Sequence, residues 1–143
     1  MDQNLKRSII LEHYQNPKNR GLTEQDGYIR INMNNESCID EIDLMVKIDN
    51  DVITDIRFDG EACAISTSST SIMIDTLLGK SVEEALNIIN NYYNMIEERE
   101  YNGNALEQAI VYDDIYLQPN RKKCALISWW GIEKAVKEYN NEK

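Results

Sequence analysis

The chain is poor in several residue types on which metal and hydrolytic sites depend. It carries one histidine, His13. A Ser/His/Asp or Cys/His nucleophilic site therefore has a single possible base, in a predicted N-terminal helix far in sequence from any cysteine. With so little imidazole, a transition-metal site would have to be built from thiolates and carboxylates. No apolar run approaches the ~18 residues needed to cross a bilayer. The charged opening, with Asp2, Lys6 and Arg7, argues against a secretory signal. Bases are outnumbered, 15 against 25 acids, for a net charge of −10. Nothing here would release phosphate counterions over a broad face, which argues against nucleic-acid binding. An acidic surface fits a basic protein partner, although solubility alone demands no more. The two prolines and six glycines among 143 residues mark no linker, and no internal repeat is evident. One domain spanning 1–143 is expected. Cysteines number three. An odd count without an export signal disfavours a disulfide framework and suits reduced thiols in a cytoplasmic protein.

The apolar residues that are present fall into two periods. Leu5, Ile9 and Leu11 to Tyr14 predict a helix over 4–14, closed by Asn16-Pro17. Alternation at Ile29, Ile31 and Met33, then at Ile42, Leu44, Val46 and Ile48, predicts strands. A turn at Asp49-Asn50-Asp51 leads to Val52, Thr54, Ile56 and Phe58, placed on one face and ended by Gly60. Everything after Gly60 reads as helical. Ile65, Ser69, Ile72, Met73, Thr76 and Leu77 repeat at three and four residues, with Gly79 suited to C′. The run Ser66 to Ser71 is in phase with its apolar neighbours and fits a closely packed helix of small residues better than a linker. Ser81-Val82-Glu83-Glu84 is a capping-box sequence. Ala85, Leu86, Ile88, Ile89, Tyr92, Tyr93 and Ile96 follow as an amphipathic stripe. After a polar break over 97–104, a short helix is expected near 106–111. A last helix is expected from about Arg121 to Tyr139, with Trp129 packed and Trp130 half-exposed. The sum is an α+β domain, a small three-stranded antiparallel sheet packed against several helices.

Candidate chemistry sits at the junctions. Cys38 and Asp40 lie two apart between the first two strands, so in extended chain both side chains point one way. Cys63 is placed at the strand-to-helix junction and Cys124 in the first turn of the last helix, where free N–H groups favour thiolate. Three thiolates and a carboxylate form an acceptable tetrahedral zinc set. Such a set is more negative than the ion it would hold, and Arg121, one helical turn from Cys124, could offset the excess. Inert core thiols fit three scattered cysteines as well, because no CxxC pair is present. His13 reads as a packing residue.

Three segments in order carry a further signal: Cys38-Ile39-Asp40; Phe58-Asp59-Gly60-Glu61-Ala62-Cys63-Ala64-Ile65-Ser66; and Arg121-Lys122-Lys123-Cys124 with Leu126 and Trp129. Together with 10–21, they resemble the scaffold proteins of iron–sulfur cluster assembly, the IscU/NifU N-terminal/SufU group. Lys123 stands where IscU-type members carry histidine, and the stretch from Cys63 to Cys124 is long; both features resemble the SufU branch. The resemblance implies a Zn2+ site on Cys38, Asp40, Cys63 and Cys124. It implies Cys38 as acceptor of persulfide sulfur from a SufS-like cysteine desulfurase, and Arg121 as a cation beside the site. Sulfur would pass on to downstream cluster-assembly proteins or apoproteins. Two alternatives are a scaffold building a [2Fe–2S] cluster, or holding iron, on the same four residues, and a structural zinc docking module. Ile39 replaces the family's glycine, and a β-branched residue disfavours positive φ there.

Overall fold

The alternating runs pair as one antiparallel sheet in the order β1-β2-β3, with β1 at Ile29–Asn34, β2 at Glu41–Asp49 and β3 at Val52–Glu61. This computed structural model describes residues 1–34 and 40–142. The β2–β3 turn places Asn50 and Asp51 at φ 50° and 64°, the left-handed pair that a two-residue hairpin matching strand twist requires. Ile31 pairs with Leu44 and Met33 with Ile42; Leu44 in turn pairs with Phe58 and Val46 with Ile56. Most of these side chains meet the helices on one face. Met45 is buried on the other face, where the Thr23 N–H donates to its sulfur at 3.5 Å.

The expected register of β3 fails in its first half. Lys47 pairs with Asp55 and Ile48 with Ile53, which leaves Thr54 as a bulge. An extra residue in one strand switches which side chains face inward. Ile53 is accordingly fully buried, while Thr54 is exposed. Thr54 donates instead to Asp49 Oδ2 at 2.9 Å.

Helix α1, Gln3–Gln15, starts on Asp2, whose carboxylate accepts from the Leu5 N–H. Its inner face is only partly the one expected: Ile9 packs against the core, but Leu5, Leu11 and Tyr14 are exposed, and Lys6 is buried. Lys6 Nζ donates to Asp113 Oδ1 at 2.5 Å, so the buried cation is paired. Helix α2, Ala64–Leu77, runs through the middle of the molecule with Ser66 to Ser71 all buried. Gly79 occupies C′ at φ +82°. Helix α3, Val82–Ile96, has both halves of the capping box on Ser81 and Glu84. Three short 3₁₀ turns, Gly103–Ala105, Glu107–Tyr112 and Ile115–Leu117, follow. Helix α4, Pro119–Glu142, begins earlier than the periodicity indicated, because proline suits the first helical turn. It lies across β1 and β2 and against α2 and α3. Trp129 is fully buried and Trp130 is 36% exposed. Among the described residues no helix is long and apolar enough to cross a membrane.

Candidate metal centre

The hairpin end brings the first candidate ligand into place. Ile42 pairs with Gly60 and Glu41 with Glu61, so Asp40, just before β2, lies beside Cys63, just after β3. Gly60 allows the approach: it has φ +133°, and a Cβ there would fall 2.0 Å from the Glu41 carbonyl oxygen. No other residue type fits without parting the strands.

Cys63 is the N-cap of α2, and its sulfur accepts from the Ser66 N–H at 3.5 Å. Its own N–H donates to Asp40 Oδ1 at 2.7 Å, and its thiol faces Asp40 Oδ2 at 3.8 Å. Asp40 is 1% exposed, and Oδ2 also accepts from the Ser66 hydroxyl. Cys124 approaches from α4. That helix is held to α2 by Ser69 Oγ donating to the Ala125 carbonyl at 2.8 Å and by the Thr70–Ser128 hydroxyl pair. One donor atom each from Asp40, Cys63 and Cys124 lies within 4.8 Å of the others.

These residues fit a small tetrahedral cation. Bond lengths of ~2.3 Å to sulfur and ~2.1 Å to oxygen put tetrahedral donors about 3.6–3.8 Å apart, against 3.8 Å between Cys63 Sγ and Asp40 Oδ2. Two sulfurs and a buried carboxylate suit zinc and equally the iron of a cluster. The electrostatics point the same way. Burial pushes the Cys124 thiol up to about 12, and the adjacent Cys63 sulfur and Asp40 carboxylate add to the rise. In the absence of a cation Cys124 therefore stays protonated at neutral pH.

The model of the NifU-like N terminal domain matches residues 5–143. The chain belongs to that family. This NifU-like domain is 37% identical to the zinc-dependent sulfurtransferase SufU of Bacillus subtilis over 133 residues, 92% of this chain and 89% of the relative. It is 35% identical to the iron-sulfur cluster assembly scaffold protein IscU of Streptococcus pyogenes over 138 residues, 96% of this chain and 86% of the relative. Among solved structures it resembles that of FiSufU from the thermophilic Fervidobacterium Islandicum AW-1, assigned as an iron-sulfur cluster assembly scaffold for the SUF system. There the TM-score is 0.87 at 33% identity, over 94% of this chain and 99% of the other.

Of the four ligands read in the sequence of the NifU-like domain, Asp40, Cys63 and Cys124 come together. Cys38 and Ile39 lie outside the described residues. The helix-start placement holds for Cys63, the N-cap of α2, and fails for Cys124. The earlier start of α4 at Pro119 puts Cys124 in its second turn, beyond reach of free N–H groups, and burial dominates. Arg121 and Lys123 are exposed on the first turns of α4. Among the described residues neither side chain makes a hydrogen bond or ion pair. His13 packs, with Nδ1 2.7 Å from Ser71 Oγ and Nε2 2.9 Å from Gln108 Oε1. Ser66 was not singled out from sequence as a site residue. Its spacing of three from an N-cap cysteine was the available signal.

Proposed function

We propose that this NifU-like domain is a zinc-dependent sulfur acceptor of iron–sulfur cluster assembly, its ion held by Cys38, Asp40, Cys63 and Cys124. The observation that carries the reading is the convergence of Asp40, Cys63 and Cys124 on one point with no histidine among them. When bound, zinc would keep its ligand thiols ionised, including Cys124, whose burial opposes ionisation. The chain's own residues supply the rest. Asp40 and the N-cap of α2 orient Cys63, and α4 presents Cys124 from the opposite side. Cys38, two residues before Asp40, is assigned as the nucleophile. Its thiolate attacks the outer sulfur of a persulfide on a cysteine desulfurase of the SufS kind. A new S–S bond forms on Cys38 as the donor's S–S bond breaks, and the desulfurase leaves as a thiolate. An acceptor thiolate on a downstream assembly protein or apoprotein in the cytoplasm then attacks the outer sulfur, the S–S bond on Cys38 breaks, and Cys38 leaves as a thiolate. Arg121, an exposed cation one turn before Cys124, is assigned to meet the incoming anionic persulfide.

The test pairs metal analysis of anaerobically purified protein with transfer of labelled sulfur from a cysteine desulfurase. Stoichiometric zinc and stimulated desulfurase turnover are expected, with transfer lost in Cys38→Ser. Wild-type transfer by Cys38→Ser removes Cys38 from its role. The IscU-named relative, nearly as similar as the SufU-named one, favours a second reading in which the same four residues assemble a [2Fe–2S] cluster. A brown protein with visible charge-transfer absorption would select it. Asp40→Ala that costs stability yet leaves desulfurase turnover unchanged would instead select a structural zinc docking module.

A further inference from the structure

We infer that the outward ridge of α4 is a docking surface for an acidic face of the persulfide donor, with Trp130 as its anchor. The inference rests on the sulfur-acceptor reading above for the identity of that partner. Charge is unevenly spread along the chain. Residues 119–137 hold five bases, Arg121, Lys122, Lys123, Lys134 and Lys137, and one acid, Glu133; the remaining residues hold ten bases and 24 acids. Successive residues of an α-helix are about 100° apart. Lys123, Trp130, Lys134 and Lys137 therefore fall within an arc of about 60°, in a line about 21 Å long. All four are exposed. Lys123 and Lys134 make no ion pair among the described residues, and Lys137 pairs only with Glu133, at 3.5 Å.

The other side of α4 is firmly seated. Gly131 lies so close to the sheet that a Cβ there would fall 2.6 Å from Leu44 Cδ1. The Tyr93 hydroxyl bonds to the Trp129 carbonyl and to Glu133 Oε1, each at 3.2 Å. A surface held in place beforehand loses little freedom on binding. Trp130 keeps part of its ring in solvent although Trp129 beside it is fully buried, and its indole N–H has no protein acceptor among the described residues. Large apolar area with one free donor is what interface anchors supply. Carboxylates on a partner would complement both the lysines and the indole N–H.

Twofold self-association through this ridge would set lysine against lysine. A nucleic acid or an anionic membrane is repelled by the net charge of −10. A protein with a local acidic face meets neither obstacle. Lys123 directly precedes Cys124, so the ridge begins beside the metal centre. A standard interface covers about 800 Å² on each partner. A donor whose sulfur reaches the cysteines therefore has the area to extend onto the ridge.

The test measures turnover of a cysteine desulfurase against rising concentrations of the full chain, at several salt concentrations. Trp130→Ala should raise the half-saturating concentration about 10-fold or more, and Lys134→Glu about 3–10-fold. Both should keep the maximal rate, because neither side chain belongs to the metal centre. Lys134→Glu changes only an exposed side chain, so it carries the test if Trp130→Ala loses stability. Lys134→Arg, which keeps the cation, should behave as wild type. Half-saturation of the wild-type protein should rise with salt, and that of Lys134→Glu less steeply. Arg7→Glu makes the same charge change on the exposed side of α1 and should leave half-saturation near wild type. Wild-type half-saturation in both Trp130→Ala and Lys134→Glu overturns the inference while the sulfur-acceptor reading stands. An equal rise in Arg7→Glu overturns it too, since the effect is then one of overall charge. Binding to phosphatidylserine vesicles that Lys134→Glu abolishes, with desulfurase saturation unchanged, assigns the ridge to a lipid surface and also overturns it. Wild-type protein that neither binds nor stimulates a cysteine desulfurase overturns the sulfur-acceptor reading, and this inference with it.

Discussion

Ser69→Ala probes the brace that holds α2 to α4 beside the cysteines. Ser69 Oγ donates to the Ala125 carbonyl at 2.8 Å and accepts from Trp129 Nε1 at 3.1 Å. Trp129 is fully buried and stacks on Tyr92 with ring centroids 3.9 Å apart. Removing the hydroxyl leaves the indole N–H with no acceptor, at a cost of about 1–3 kcal/mol. The Ala125 carbonyl suffers less, because the Tyr92 hydroxyl still donates to it at 2.7 Å; losing the Ser69 bond there costs about 0.5–1 kcal/mol. The sum is about 1.5–4 kcal/mol, which for a domain of this size lowers Tm by about 5–13 °C. The assay is urea denaturation of Ser69→Ala, Trp129→Phe and the double variant. In the Trp129→Phe background no indole N–H is orphaned, so Ser69→Ala should then cost only about 0.5–1 kcal/mol, a coupling of about 1–3 kcal/mol. Additivity within about 0.3 kcal/mol would refute the argument. So would a Ser69→Ala protein as stable as wild type.

Two further perturbations follow from the same structure. Gly60→Ala puts a Cβ 2.0 Å from a backbone oxygen at φ +133°. It should cost at least about 2 kcal/mol and weaken zinc binding by parting Asp40 from Cys63; denaturant midpoints and chelator competition check both effects. Burial raises the pKa values of the Tyr92 and Tyr112 hydroxyls. Above about pH 10 the unfolded chain therefore releases protons that the folded chain keeps. The unfolded state then binds fewer protons, so stability falls with rising pH by about 1.4 kcal/mol per pH unit for each tyrosine. Urea midpoints measured across this range should fall steeply, and Tyr112→Phe should flatten the slope. A flat midpoint in the wild-type protein would contradict the burial of these hydroxyls.

Much of the architecture was legible because it is written in local chemistry. The Asn50-Asp51 turn, the Ser81–Glu84 capping box and Gly79 at C′ are each decided by a few neighbouring residues. So were the three ordered segments around Cys38, Cys63 and Cys124 that point to the family. Apart from the start of α4, which Pro119 sets locally, what was misread depends on partners distant in sequence. The bulge at Thr54 arises in the pairing of two strands, and no alternation in one strand reveals it. The inner face of α1 combines Ile9 and Ile10, which pack against the core, with Lys6, whose burial depends on Asp113 far along the chain.

The site divides in the same way. The sequence by itself determined the donor types, since one histidine and three cysteines among many acids leave thiolate and carboxylate as the chemistry. It also placed Cys63 at a helix start, because Gly60 ends a strand just before it. Only the tertiary structure decided that Asp40, Cys63 and Cys124 share one point, through the strand register at Gly60 and the Ser69–Ala125 bond between helices. It also reversed the electrostatics expected of Cys124. Depth in the fold, rather than position along α4, sets its proton affinity, because desolvation is a property of everything packed around a group and not of its neighbours in the chain.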